Sequence, residues 1–207
     1  MVATETVTAA VADAGWEALA RVAAGDAEAF ASLVERHQER LLRLCERLLG
    51  DAEEARDAAQ EVFLKAWRNA GEVRPRGQVY TWLYRIAVNH CLNKLRRRKI
   101  ARFLRLAGPE DQDSPAFDPP DRTADPAAAL EARRRWQATR RAIAKLPENQ
   151  RVVLVLARFE GLPYREIAEV LGITEGAVES RLVRAMRRLQ AAQDSADSRV
   201  STKERTR

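Results

Sequence analysis

The 207-residue sequence has few of the residues that support disulfide, redox or metal chemistry, with two cysteines and two histidines. Cys45 and Cys91 fall at apolar helix positions without CxxC spacing, so we expect buried free thiols in a reducing compartment. His37 and His90 lie on or near apolar stripes, and no paired carboxylates, glycine-rich phosphate loop or metal-ligand spacing accompany them. These absences exclude a disulfide scaffold and argue against an enzyme, and we expect neither a metal nor a cofactor.

Long apolar runs are also missing, and none approaches the roughly 18 residues that a membrane span needs. The N-terminus has no basic leader and carries Glu5 and Asp13, so a cytoplasmic, nucleoid-associated protein without membrane insertion is expected. Glycine is sparse and β-branched runs are short, while Ala, Leu, Arg and Glu dominate, which predicts an all-α fold. The stretch Val152–Leu156 could compete as a strand, but it continues a longer helical pattern.

Positive charge is unevenly distributed along the chain. The sequence has 36 basic and 30 acidic residues, for a formal charge of +6. The basic residues cluster after Arg96 and again after Arg181, a pattern typical of nucleic-acid-binding proteins. Charge alone leaves open the alternative of ordinary solvated helix faces.

Apolar periodicity divides the chain into two small helical domains joined by a flexible linker. Five of the eight prolines and six acidic residues lie between Pro109 and Pro126, a composition that cannot form a packed element. The predicted segments are a flexible arm with a short helical lead-in (1–23), a first domain (24–104), a Pro/Asp-rich linker (105–127), a second domain (128–190) and a mobile polar tail (191–207). In the first domain, amphipathic helices punctuated by a stop at Gly50 and an N-cap at Asp51 predict a small bundle.

The segment Tyr164–Arg188 has the pattern of a helix-turn-helix. A short amphipathic helix precedes Gly172 and Ile173, which make the tight turn, and Thr174 is predicted to cap the next helix. The small Ala168 lets the two helices approach closely. A plain helical hairpin is the alternative for this pattern, but the basic charge of the second helix favours DNA binding.

The second helix of this motif has two predicted faces, taking about 100° per residue. The inner face contains Val178, Leu182, Ala185, Met186 and Leu189. The outer face contains Gly176, Ser180, Arg184 and Arg187. Such a small, basic face can enter the major groove, where arginine donates to guanine O6 and N7 and flanking arginines neutralise phosphates. Glu179 argues against pure backbone binding, since a carboxylate repels phosphates unless it accepts from a cytosine amine or holds a neighbouring arginine.

Four motifs in register resemble bacterial extracytoplasmic-function (ECF) sigma factors of the sigma-70 family. They are QEVFLKAW at Gln60–Trp67, TWLYRIAVNHCLNKLRRR at Thr81–Arg98, LPENQR, and the helix-turn-helix. The resemblance covers roughly residues 24–190. It implies a sigma-2-like bundle and a sigma-4-like domain, in a non-enzymatic factor that binds core RNA polymerase and directs it to promoters of a stress or envelope regulon. It also implies that the factor promotes strand opening and is restrained by an anti-sigma factor.

The resemblance also implies roles for particular residues. Contacts to core polymerase, on the beta-prime clamp, are expected from Asp57, Gln60 and Glu61, with a further docking site on the beta flap. Contacts to the minus-ten element are expected from Lys65, Val73, Arg74, Arg76, Tyr84, Arg85, Asn89, Asn93, Arg96 and Arg97. Contacts to the minus-thirty-five element are expected from Glu179, Ser180, Arg181, Val183, Arg184 and Arg187. Among these, Lys65 matches a phosphate-facing lysine and Asn89 a base-reading asparagine, whereas the loop after Val73 departs from the family's usual Phe-Arg-Gly opening.

Aromatic and basic side chains near Asn89 fit single-strand binding, since rings stack on bases and cations contact phosphates. For Trp82, core packing and base stacking remain alternatives. The main alternative function is a helix-turn-helix activator or repressor outside the polymerase holoenzyme, which would bind an operator tightly by itself. A sigma factor would instead open promoters only together with core polymerase.

Overall fold

The computed structural model describes residues 15–73, 78–104, 130 and 137–205, and the side chains of all of these except 102–104 and 195–205. The regular elements are α1 (15–23), α2 (Ala27–Leu49), α3 (Ala52–Asn69), a 3-10 turn (Ala70–Glu72), α4 (Val79–Leu104), α5 (137–144), α6 (Glu148–Arg158), α7 (Tyr164–Leu171) and α8 (Glu175–Arg205). No strand occurs in these ranges, and the predicted all-α fold is confirmed.

The described helices divide into two compact units, the first holding the helices before residue 105 and the second nearly all residues from 137 onward. In the first unit, α2, α3 and α4 pack on one another through one apolar face each. The fully buried side chains include Leu41, Leu44 and Leu48 of α2, Ala55, Ala58 and Val62 of α3, and Leu83, Ala87 and Cys91 of α4. The small residues of α3 let the helix axes approach closely, and removing this apolar surface from water stabilises the bundle.

The junction between α2 and α3 has the helix stop and the helix cap predicted from the sequence. Gly50 adopts the left-handed conformation, with φ 79°, and its N–H donates to the carbonyl oxygen of Glu46 at 2.8 Å. Asp51 then caps α3, because its carboxylate accepts a hydrogen bond from the backbone N–H of Glu54 at 2.8 Å. Both the stop and the cap satisfy backbone groups that a helix end leaves without partners.

Replacing Asp51 by alanine is expected to lower the free energy of unfolding by about 1 kcal/mol, since the cap acceptor is lost. Urea denaturation of the full chain, followed by circular dichroism, measures the change as a lower midpoint. Asp51→Asn is the matched control, because its amide oxygen can accept the same hydrogen bond. An equal loss in both variants would contradict a capping role.

The two cysteines are free and fully buried, as predicted. Cys45 lies on α2 and Cys91 on α4. A hydrogen bond with Cys91, together with burial, raises the pKa of the Cys45 thiol well above its usual range. A thiol in this environment is unreactive, since the thiolate is the nucleophilic form.

The second unit is organised around α6, whose residues Val152–Leu156 are all buried. This apolar stretch is helical, which confirms the choice of helix over strand. Pro147 immediately precedes the helix with φ −52°, a value that its ring fixes and that suits the start of a helix. Buried side chains of α7 and α8, including Ile167 and Leu182, complete the described core of this unit.

The last helix is longer than the sequence predicted. We expected a mobile polar tail over 191–207, but α8 continues to Arg205. Neither glycine nor proline interrupts the sequence after Gly176, and the Gln190 amide donates to Asp194 at 3.3 Å, one helical turn on. The predicted linker (105–127) and most of the N-terminal arm lie outside the described residues, and the domain boundaries therefore stay predictions.

Candidate nucleic-acid interface

The turn between α7 and α8 has the geometry predicted for a helix-turn-helix. Gly172 adopts φ 64°, a left-handed conformation that a glycine accepts without strain. The N–H of Ile173 donates to the carbonyl oxygen of Ala168 at 3.1 Å, which closes the end of α7. The hydroxyl of Thr174 accepts from the N–H of Ala177 at 3.2 Å and caps α8. Local sequence therefore sets both the sharp turn and the start of the helix that follows it.

The N-terminal half of α8 presents a polar, basic face. Val178, Leu182 and Ala185 are buried. The predicted DNA-facing residues Glu179, Ser180, Val183, Arg184 and Arg187 are exposed, and Arg181 is half-buried at the margin. Val183, 43% exposed, adds an apolar surface among these polar groups. The face thus combines hydrogen-bond donors, one carboxylate and one branched apolar side chain, which are the groups that read base edges in a major groove.

The prediction that Met186 lies on the inner face was wrong, because its side chain is 43% exposed. At about 100° per residue, Met186 lies roughly 80° from Val178 around the helix. The space beneath α8 is filled by residues closer to the centre of the buried stripe, and Met186 is left at its rim.

The predicted polymerase-binding residues form one outward stripe on α3. Asp57, Gln60 and Glu61 are exposed. Leu64, which the sequence analysis did not single out, follows on the same face and is 46% exposed. The spacing of three and four residues places all four side chains together, opposite the buried Ala58 and Val62. The spacing from Asp57 to Leu64 was the signal that could have identified this leucine from sequence.

Five of the six predicted minus-ten residues of α4 also share one face. Arg85, Asn89, Asn93, Arg96 and Arg97 are exposed, and successive members are separated by one, three or four residues. A guanidinium N–H of Arg96 donates to the amide oxygen of Asn93 at 3.2 Å. Val73 is half-buried, whereas the predicted contacts Arg74 and Arg76 lie outside the described residues.

The burial of Tyr84 contradicts its predicted contact with the minus-ten element. Its side chain is only 1% exposed, so its ring has no free face on which a base could stack. The Tyr80 ring meets it edge-on, with 5.9 Å between centroids, and the Arg40 guanidinium lies 5.7 Å from its centroid. The helical periodicity of α4 places position 84 on the buried side of the helix, beside Leu83. The aromatic ring of Tyr84 therefore packs in the core. Trp82 is half-buried, which is compatible with core packing and with base stacking alike.

The basic side chains near the end of α4 are of two kinds: some contact the neighbouring helices, and others are exposed. Arg98 forms an ion pair with Glu54 of α3 and donates to the carbonyl oxygen of Leu49, at the end of α2, at 3.4 Å. Lys94 lies 3.4 Å from the same Glu54 carboxylate. These contacts join α4 to both neighbouring helices, while Arg96 and Arg97 stay exposed and available to an anionic partner.

The described residues hold no group of three or more His, Cys, Asp or Glu that could bind a metal ion. Over the same ranges, no helix is both long and apolar enough to cross a bilayer.

Two small helical units, one ending in a helix-turn-helix with a basic outer face, define a DNA-binding protein of the transcription machinery. Comparison with known proteins identifies the family. The Sigma-70 region 2 model matches residues 33–100, and the Sigma-70, region 4 model matches residues 136–189. The chain belongs to the ECF sigma factors of the sigma-70 family, and it is an RNA polymerase-associated transcription initiation factor.

Individual relatives agree with this assignment. The chain is 40% identical over 181 residues to the RNA polymerase sigma-H factor of Pseudomonas aeruginosa, covering 83% of this chain and 90% of the relative. It is 38% identical over 173 residues to the ECF RNA polymerase sigma factor SigM of Mycobacterium tuberculosis, covering 84% and 81%. Among solved structures, it is similar to CnrH in complex with the cytosolic domain of CnrY, with TM-score 0.62, 29% identity and coverage of 88% and 99%.

Proposed function

We propose that this chain binds core RNA polymerase through α3, recognises the two promoter elements with separate helices, and promotes strand opening at the promoters of a dedicated stress or envelope regulon. The observation that carries the proposal is the exposed face of α8, where Ser180 and Arg184 point away from the buried Val178 and Leu182. A helix placed this way after a tight turn suits the major groove of the minus-thirty-five element.

Polymerase binding is proposed for the stripe of α3 that consists of Asp57, Gln60, Glu61 and Leu64. Its members are all exposed, although α3 buries its opposite face in the bundle. An exposed leucine bordered by polar groups has the composition of a protein interface, with an apolar centre and a polar rim. The beta-prime clamp is the proposed partner of this stripe, and the beta flap that of the second unit.

Minus-ten binding is proposed for the exposed face of α4, from Arg85 through Asn89 and Asn93 to Arg97. Amide side chains can hydrogen-bond the edges of unstacked bases, and the arginines and Lys65 can neutralise phosphates of the captured strand. Capturing unpaired bases favours the open duplex, so binding energy alone can promote melting without bond-making chemistry.

An anti-sigma factor is a further proposed partner. The similar CnrH structure contains the cytosolic domain of CnrY, and a second structure of the same fold, at 20% identity, is RpoE in complex with the anti-sigma factor NepR from Bartonella quintana. A partner that covers the α3 stripe would block the proposed polymerase binding, and one that covers the α8 face would block the proposed recognition of the minus-thirty-five element.

Run-off transcription with purified bacterial core polymerase on genomic fragments tests the proposal. We expect initiation at a small set of fragments only when the chain and core polymerase are both present. Tight, selective DNA binding by the free chain, with no initiation on any fragment, would instead favour the activator or repressor alternative.

A further inference from the structure

His90 of α4 and Lys65 of α3 form a polar bridge between these two helices. The Lys65 ammonium nitrogen lies 2.8 Å from Nδ1 of His90, and both side chains are half-buried. An ammonium group can only donate hydrogen bonds, so Nδ1 must accept, and the imidazole is neutral with its proton on Nε2. Lys65 belongs to the helix of the proposed polymerase stripe, whereas His90 directly follows Asn89 on the helix of the proposed minus-ten face.

We propose that His90 is a positioning residue for strand capture, which holds the Lys65 ammonium where it meets a phosphate of the captured strand. The inference rests on the proposed function of Lys65. A lysine side chain has a flexible four-carbon stem, and fixing its end before binding removes part of the entropy cost that the contact would otherwise carry. His90 itself need not touch DNA.

The charges around His90 favour the neutral form that this role requires. Lys65 and Glu61 face it from α3, and Lys94 and Arg97 from α4. Three of these four groups are cationic, so a further positive charge on the imidazole is disfavoured. Burial, then Lys65, lowers the pKa of His90 below its ordinary value of 6.5. At neutral pH the acceptor is therefore available, and it is lost only as the pH falls through the lowered pKa.

Protonation would have two effects on Lys65 in the same direction. It converts Nδ1 from an acceptor into a donor, and it places a second cation beside the ammonium. Both effects release Lys65 from its position. Strand capture through Lys65 should therefore weaken in acid more than it does in a variant whose acceptor cannot be protonated.

Binding of holoenzyme to a labelled single-stranded oligonucleotide tests this inference. The oligonucleotide is the non-template minus-ten strand of a promoter recovered in the run-off experiment, and the full-length chain is used throughout. His90→Ala should weaken binding about fivefold at neutral pH, because the charge remains but its position is lost. His90→Asn should retain near wild-type affinity, because its amide oxygen can accept in place of Nδ1, and should lose less affinity than wild type once the pH falls below the lowered pKa of His90.

Two further variants separate this inference from the proposed function. Lys65→Ala should weaken binding about tenfold. It should also reduce the steepness of the plot of log binding constant against log salt concentration by about 0.7. Adding His90→Ala to Lys65→Ala should have no further effect. Lys145→Ala, an exposed lysine of the second unit, should leave binding unchanged. If Lys65→Ala weakens binding but His90→Ala alone does not, or if His90→Asn is as weak as His90→Ala, the positioning role is wrong while the proposed function stands. If Lys65→Ala has no effect, the proposed phosphate contact is wrong, and the positioning role with it.

Discussion

Replacing Leu64 by glutamate is expected to weaken association with core RNA polymerase at least about 30-fold, or roughly 2 kcal/mol. The expectation follows from the place of this leucine on the exposed stripe of α3, beside Gln60 and Glu61. If the stripe is the docking surface, Leu64 supplies its apolar contact area, and a carboxylate there would be desolvated without a partner and repelled by Glu61. Fluorescence anisotropy of the labelled chain titrated with core polymerase measures the affinity.

The stability of the chain should not change in this variant, because Leu64 is 46% exposed and buries little in the bundle. Leu64→Ala should lose less affinity, since it removes contact area without adding charge. Ile100→Glu is the matched control, because Ile100 is 60% exposed and lies on α4, a different helix of the same unit. Native polymerase affinity in Leu64→Glu, with equal thermal stability, would exclude the stripe as the docking surface.

Elements governed by local chemistry could be predicted from sequence. Gly50, Asp51, Gly172 and Thr174 each act within a few residues of their own position, through a left-handed backbone or a side-chain cap. The sequence therefore contains nearly all the information that sets those turns and helix starts. The buried face of α8 followed in the same way from helical periodicity, except at Met186.

Features that depend on distant neighbours could not be predicted. Tyr84 has a polar tip and borders the minus-ten residues, but its burial depends on Arg40, Tyr80 and the volume left between helices. Met186 lies at a rim position where periodicity alone does not decide exposure. The bridge between Lys65 and His90 joins side chains 25 positions apart, and its geometry requires the actual packing of α3 against α4.

The exposed face of α8 makes a specific prediction about base selectivity. Arg184→Ala is expected to cost about 1–3 kcal/mol in promoter binding, and to relax the preference at one base pair of the minus-thirty-five element. A guanidinium that donates to both acceptors of a guanine discriminates it from other bases, so losing the side chain penalises only the preferred sequence. Arg184 is exposed and makes no contribution to the buried core, so the folded stability of the variant should equal that of the wild type.

Arg188→Ala is the matched control, since Arg188 is an exposed arginine at the edge of the same helix face. If it contacts phosphate, its loss should weaken binding to all sequences alike and lower the salt slope by about 1. Holoenzyme binding to a promoter series with every single-base change in the upstream element distinguishes the two patterns. A uniform loss from Arg184→Ala, with the sequence preference intact, would assign Arg184 to the DNA backbone and leave base reading to the other exposed side chains of the face, Glu179, Ser180, Val183 and Arg187.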